Sequence, residues 1–163
     1  YTSFIKGQGK PRKVSPLFLK EYRNRWYLIS YDPSQNDIRT YALDRMEDPK
    51  ILEDEQIKPK DFDADTYFQN AMGITSYKGE AKKIILKADE IASKYIKSQP
   101  IHHSQEVLEE TENGTSFQFK LLLSEELIRT LLSYGGEIEI IEPIELKNAL
   151  TERIIAMTKR YNL

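Results

Sequence analysis

The sequence predicts an α+β chain in which a small Sm-like or SH3-like β-barrel is followed by a ferredoxin-like βαββαβ domain. Three observations carry this. Short aromatic and β-branched runs, separated by turn residues, crowd the first fifty or so positions, and so many short strands hide their edges only if the sheet curls on itself. From about residue 82 onward, strand-like and helix-like periodicities follow one another in the order βαββαβ, with a final helix behind them. Between the two, the pattern loosens. The expected domains are therefore 1–48, a connecting region with a short helix at 49–81, and 82–163.

The most strand-like run is Arg25-Trp26-Tyr27-Leu28-Ile29-Ser30-Tyr31, which holds the only tryptophan. Alternation sends Arg25, Tyr27, Ile29 and Tyr31 to one face and Trp26, Leu28 and Ser30 to the other, the latter being the expected core face. Ahead of it, 1–4 reads as the end of a first strand and 7–11 as a turn. Residues 12–18 read as a strand whose Pro16 demands an edge or a bulge, and 20–24 as a polar turn. Behind it, the turn 32–37, rich in Asp, Pro, Ser and Asn, leads to a second strand at 38–46. Arg39, Tyr41, Leu43 and Arg45 would share one face of that strand. Two arginines six residues apart lie roughly 20 Å from each other on a flat strand, so they meet only if the strand bends.

These residues carry a resemblance. Pro16-Leu17-Phe18-Leu19, Trp26-Tyr27-Leu28 and Leu43-Asp44-Arg45, in that order and at short spacing, resemble the WYL domain of bacterial transcriptional regulators, and 82–163 is similar to the C-terminal extension that accompanies it. The resemblance implies an effector-sensing and dimerising part of a DNA-binding regulator. It also implies a homodimer, a nucleic-acid or nucleotide-like effector bound through basic residues, and DNA contacted through a winged helix-turn-helix domain missing from the N-terminal side.

Across 49–81, Asp48-Pro49 closes the barrel, 61–73 reads as a short helix with Asp63 or Asp65 near its cap and Gly73 at its end, and 74–80 as a linker. Phe62, Tyr67 and Phe68 would dock that helix on the barrel. The second domain reads as strand 83–88, helix 89–98, strand 105–110, turn Asn113-Gly114, strand 115–123, helix 124–134, strand 137–141 and helix 144–161. Ser124 is a good N-cap, with Glu125 and Glu126 placed well for the helix dipole.

The 163 residues contain no cysteine, no apolar run near the ~20 residues of a membrane span and no leader-like N-terminus, which together point to a cytoplasmic protein without a membrane partner. The net charge of −2 hides an asymmetry: residues 1–46 hold nine Lys and Arg against four Asp and Glu, and the remainder fifteen against twenty-two. An anionic ligand is expected at the basic first part.

The candidate ligand-binding set is Arg25, Tyr27, Arg39, Tyr41 and Arg45. Guanidinium forks match phosphate oxygens in pairs, and tyrosines can stack on bases. Each arginine has a plainer reading as part of a solvated strand face paired with Asp37 or Asp44. Arg39 and Arg45 are the expected pocket, with Arg25 and Tyr27 at its rim; Tyr1 and Ser3 are weaker candidates. Trp26 and Leu28 read as core.

His102-His103 does not make a metal site, because sequential residues on a strand point to opposite faces and no third histidine exists. Pro100 to Gln105 resembles a recurring motif of the related extensions, which implies a structural or interface role. Glu109, Glu110, Glu112, Glu125 and Glu126 read as solvated faces and a cap. No nucleophile-base set and no phosphate-cradling glycine loop can be assembled, so no enzyme activity, cofactor or metal is expected. The stripes Leu127, Ile128, Leu131, Leu132 and Leu146, Leu150, Ile154, Met157, Tyr161 have helical spacing and read as core. A stand-alone nucleic-acid-binding module without a regulatory step remains the alternative.

Overall fold

A computed structural model describes every residue except 5, 6, 8, 76–78 and 163; the expected turn at 7–11 and linker at 74–80 fall partly outside the described residues. The chain is α+β and divides into two compact units, Tyr1–Gln69 with Gly73–Thr75, and Asn70–Met72 with Ser76–Leu163.

In the first unit β1 (Ser15–Tyr22), β2 (Arg25–Asp32) and β3 (Asp37–Ala42) form an antiparallel sheet in the order β1-β2-β3. The β1–β2 hairpin turns on Arg23 and Asn24, both at positive φ (51° and 61°), as a two-residue turn matched to strand twist requires. Glu21 accepts from the Asn24 N–H at 2.8 Å. The ladder slips between Pro16 and Phe18, the bulge that a proline without a donor imposes. A further antiparallel bridge joins Thr2 to Gly9.

Two expectations fail here. β3 ends at Ala42 and the chain tightens into a 3-10 turn, Leu43–Arg45, so Leu43 and Arg45 do not continue the face of Arg39 and Tyr41. Trp26 is 53 % exposed and Leu28 only half-buried, whereas Ile29 and Ser30, successive residues on opposite faces, are both fully buried. The cause is the early end of β3. Its last pair is Ala42 with Tyr27, so Trp26 lies beyond the partner strand, while the far end of β2 is covered on both sides.

Helix α1 (Ala64–Tyr67) is a single turn capped by Asp63, whose carboxylate accepts from Asp65 N. As expected of its aromatic residues, Phe62 and Phe68 sit 6.0 and 5.9 Å from the ring of Phe18 on β1.

The second unit comprises β4 (Lys82–Ala88), α2 (Glu90–Ser98), β5 (Glu106–Thr111), β6 (Gly114–Leu121), α3 (Glu125–Leu132), β7 (Ile138–Glu142) and α4 (Ile144–Tyr161). Its sheet order β5-β6-β4-β7, antiparallel throughout, is the split βαβ arrangement expected. Alternation works cleanly: Ile84, Leu86 and Ala88 on β4 and Phe117, Phe119 and Leu121 on β6 are buried against Ile96 of α2, Leu127 and Leu131 of α3, and Leu146 of α4. Asp89 and Ser124 accept from Ala92 N and Leu127 N, capping α2 and α3. Along α4 only Leu146 and Leu150 are buried; Ile154, Met157 and Tyr161 of the same stripe are exposed.

Candidate functional site

Register decides which candidate side chains meet. Ser30 pairs with Arg39 and Leu28 with Tyr41, whereas Tyr27 pairs with Ala42 and Ile29 with Thr40. Directly opposed residues share a face, so Arg39 and Tyr41 lie on the face of Trp26, Leu28, Ser30 and Asp32. Arg25 and Tyr27 lie on the other. The five residues expected as one set are thus divided.

The first face is built around a buried acid. Asp32, 1 % exposed, closes the β2–β3 loop by accepting from Ser34 N at 2.9 Å and Ser34 Oγ at 2.6 Å, and its second oxygen accepts from the Tyr41 hydroxyl at 3.0 Å. The Arg12 guanidinium reaches the same oxygen at 3.9 Å. Burial pushes the Asp32 carboxyl up, but the bonds from Ser34 and Tyr41 and the charge of Arg12 outweigh it and hold the group below the usual carboxylate range. Tyr41 moves the opposite way. Burial, then its bond to the Asp32 carboxylate, push its hydroxyl up to about 12, against the opposing charges of Arg12 and Arg39.

Two guanidinium groups therefore stand beside one buried Tyr41–Asp32 pair. Arg39 is half exposed and shares its charge with Asp37 at 3.3 Å; Arg12 is about one-third exposed. The Arg39–Asp37 pair is exposed on both sides and so weakly held, whereas Arg12 faces a buried carboxylate. Beneath them the fully buried Ser30 hydroxyl has no hydrogen-bond partner among the described residues. Sequence reasoning missed Arg12, although the basic cluster Lys10-Pro11-Arg12-Lys13 just ahead of β1 was the available signal.

Arg25 pairs with Asp44 at 3.6 Å on the surface, the plainer reading of that residue, and Tyr27 is half-buried nearby. Arg45 lies against aromatic rings, with its guanidinium 5.0 Å from the Tyr1 centroid and 4.3 Å from that of Phe4, and its carbonyl accepts from Thr2 N at 3.2 Å. Tyr1 in turn meets Tyr41 edge-on at 4.9 Å, and its hydroxyl accepts from Ala42 N at 3.4 Å.

In the second unit, His102 and His103 precede β5 with their rings 4.0 Å apart and tilted by 41°, so they do not splay to opposite faces of a strand. His102 Nδ1 accepts from Ser104 N at 3.2 Å and lies 2.8 Å from Ser104 Oγ. Burial first, and His103 second, push His102 down to about 4. Ser104 Oγ also joins Lys120 N and O, and Gln105 joins Ile101 N and Ile96 O. This network fastens the loop to β6 and α2. Among the described residues no group of three metal-ligating side chains is present, and no helix is long and apolar enough to cross a membrane.

Comparison with known proteins is informative about both units. Residues 1–51 match the WYL domain and residues 80–158 the WCX domain. The chain is 29 % identical over 170 residues to the uncharacterized HTH-type transcriptional regulator YobV of Bacillus subtilis, a match that covers 99 % of this chain and 50 % of that protein; it spans about half the length of this curated relative. Among solved structures it is similar to proteasome accessory factor B/C (PafBC) of Arthrobacter aurescens, at 22 % identity and a TM-score of 0.41, covering 98 % of this chain and 24 % of that one.

Proposed function

We propose, from the premise that this chain belongs to the WYL-domain family and carries a WCX domain behind its WYL domain, that it is the effector-sensing part of a cytoplasmic DNA-binding transcriptional regulator. The effector is a nucleic-acid-derived or other anionic ligand. Arg12 and Arg39 grip it, and Tyr41 and Asp32 hold their strands in place beneath it. The WCX unit supports a homodimer and passes the bound state to a DNA-binding element outside this chain, as a relative described as an HTH-type regulator and twice as long suggests. The working principle is population shift: the effector acts only through unequal affinity for two arrangements of the dimer. No reaction is part of this reading.

The observation that carries it is that Arg12 contacts the buried Asp32 carboxylate bonded to Tyr41, while Arg39, half exposed and paired with Asp37, adds its positive charge beside Tyr41. Replacing Arg12 and Arg39 together by Ala tests it. Binding of short single-stranded oligonucleotides should weaken and lose part of its salt dependence; unchanged affinity in the double variant, or affinity insensitive to salt in the parent chain, ends the proposal.

A further inference from the structure

Boundaries between compact units ordinarily fall in exposed stretches of chain that few contacts hold. Here the chain leaves the first unit at Gln69, gives three residues, Asn70–Met72, to the second, and returns to the first for Gly73–Thr75 before Ser76–Leu163 complete the second. Those three residues are well held. Ala71 and Met72 are buried, and Met72 belongs to the core that Phe117, Phe119 and Leu121 of β6 share with Leu127 and Leu131 of α3. The Asn70 carbonyl accepts from Leu122 N at 2.7 Å, at the residue that follows β6.

Both flanks are held within the first unit. On one side the Phe68 ring meets Phe18 of β1 at 5.9 Å and lies under Lys20 Nζ at 4.5 Å. On the other, Gly73 (φ 76°) lies so close to Tyr22 that a Cβ there would stand 2.8 Å from the tyrosine ring, and the Ile74 carbonyl accepts from the Thr40 hydroxyl at 3.4 Å. Thr40 stands on β3 between Arg39 and Tyr41. Three residues reach at most about 10 Å, so a segment this short, pinned at both ends and packed in the middle, has little slack.

We infer that Asn70–Met72 is a coupling element: a change in β1 or β3, carried by Tyr22 and Thr40 to Gly73 and Ile74, moves Met72 in the core of the second unit. A close-packed core does not absorb a displaced side chain without strain, so loosening the first unit loosens the second. This deepens the reading of the chain as a sensor, on which its purpose rests, by naming the residues that pass the bound state on; the coupling itself is present without an effector.

Each unit has its own signal, so the coupling can be read in the whole chain at one fixed concentration. Trp26, the only tryptophan, reports the first unit, and the far-ultraviolet helix signal reports the second, which holds α2, α3 and α4. Urea unfolding is followed by both, with and without Tyr41→Phe to loosen the first unit. The expected result is that Tyr41→Phe lowers both midpoints, each by about 0.5 M. In a Met72→Ala background the Trp26 midpoint should still fall by that amount and the helix midpoint by less than half of it. Leu131→Ala, which hollows the same core from α3, should leave the shared shift whole.

A helix midpoint that ignores Tyr41→Phe in the parent chain overturns the coupling, and so does a shared shift that survives Met72→Ala as fully as Leu131→Ala. If Met72→Ala does not fold, Thr40→Val, which frees the Ile74 carbonyl and leaves the second core intact, decides in its place: the helix shift has to shrink there, and an undiminished shift overturns the inference. Because no effector enters, either failure leaves the anion site standing, and a chain that binds no anion leaves the coupling standing.

Discussion

The Tyr41 hydroxyl donates to a carboxylate oxygen of Asp32 at 3.0 Å, and the pair ties β3 to the far end of β2. Removing the donor alone should cost little more than one buried hydrogen bond: Tyr41→Phe is expected to lower unfolding free energy by about 1–2 kcal/mol. Asp32→Ala leaves the Tyr41 hydroxyl, the Ser34 N–H and the Ser34 hydroxyl together without an acceptor, and should cost about 3 kcal/mol or more. Urea denaturation separates the two, with Asp32→Ala the more damaging.

The same pair gives an alkaline signature. Tyr41 titrates near 12 in the fold and near 10 when unfolded, so the folded chain holds the proton more tightly. Its contribution is full below about pH 10 and is lost as pH rises through 12. Tyr41→Phe should lack this component, so the gap between parent and variant narrows over that interval. Denaturant midpoints at a series of alkaline pH values measure it.

At the acid end, His102 is expected to lead in the second unit. Its pKa falls from 6.5 to about 4 on folding, so the unfolded chain binds a proton that the folded one refuses. Stability should therefore fall as pH drops from about 6.5 towards 4. The whole interval corresponds to about 3 kcal/mol; for a ring that is only partly buried, about half is expected. His102→Gln should flatten the slope, as read by thermal melts between pH 4 and 7.

Two glycines at positive φ should behave differently. At Gly114 (φ 137°) a Cβ would stand 2.0 Å from the Ala88 carbonyl oxygen, whereas at Gly135 (φ 58°) it would meet nothing within 4 Å. Gly114→Ala is expected to destabilise by about 3 kcal/mol or more, because backbone must move. Gly135→Ala should cost about 1 kcal/mol, the strain of the left-handed conformation alone. Melting temperatures rank them.

Binding should follow the division of the sheet. Arg39→Ala is expected to weaken oligonucleotide binding and to lower the salt slope by about 0.7 if one phosphate contact is lost. Arg25→Ala, on the opposite face and paired with Asp44, should change neither. Equal losses for the two variants would mean that both faces bind.

Much of this was legible in the residues. The whole element order of the second unit, the cap at Ser124 and the docking of Phe62 and Phe68 follow from periodicity and cap chemistry, which are local; Asp89, read as the first residue of its helix, is instead its cap. Arg39 and Tyr41 share a face because they are two apart on one strand. What could not be read was set by pairing between strands. Whether Arg25 joins Arg39 depends on register, which no single strand reveals. The exposure of Trp26 depends on where β3 stops, and the role of Arg12 on a contact spanning twenty positions. Strand propensity carried the expected β3 on to residue 46, but Leu43-Asp44-Arg45 winds into a 3-10 turn whose following Met46 N–H bonds to the Leu43 carbonyl.

The rings of Tyr1 and Phe4 on Arg45 have a mechanical consequence. Tyr1 meets Tyr41 ring to ring at right angles and offers its face to Arg45, and its hydroxyl is tied to the backbone at Ala42. That one phenol ring therefore bolts the opening residues of the chain to the end of β3 and to the 3-10 turn behind it.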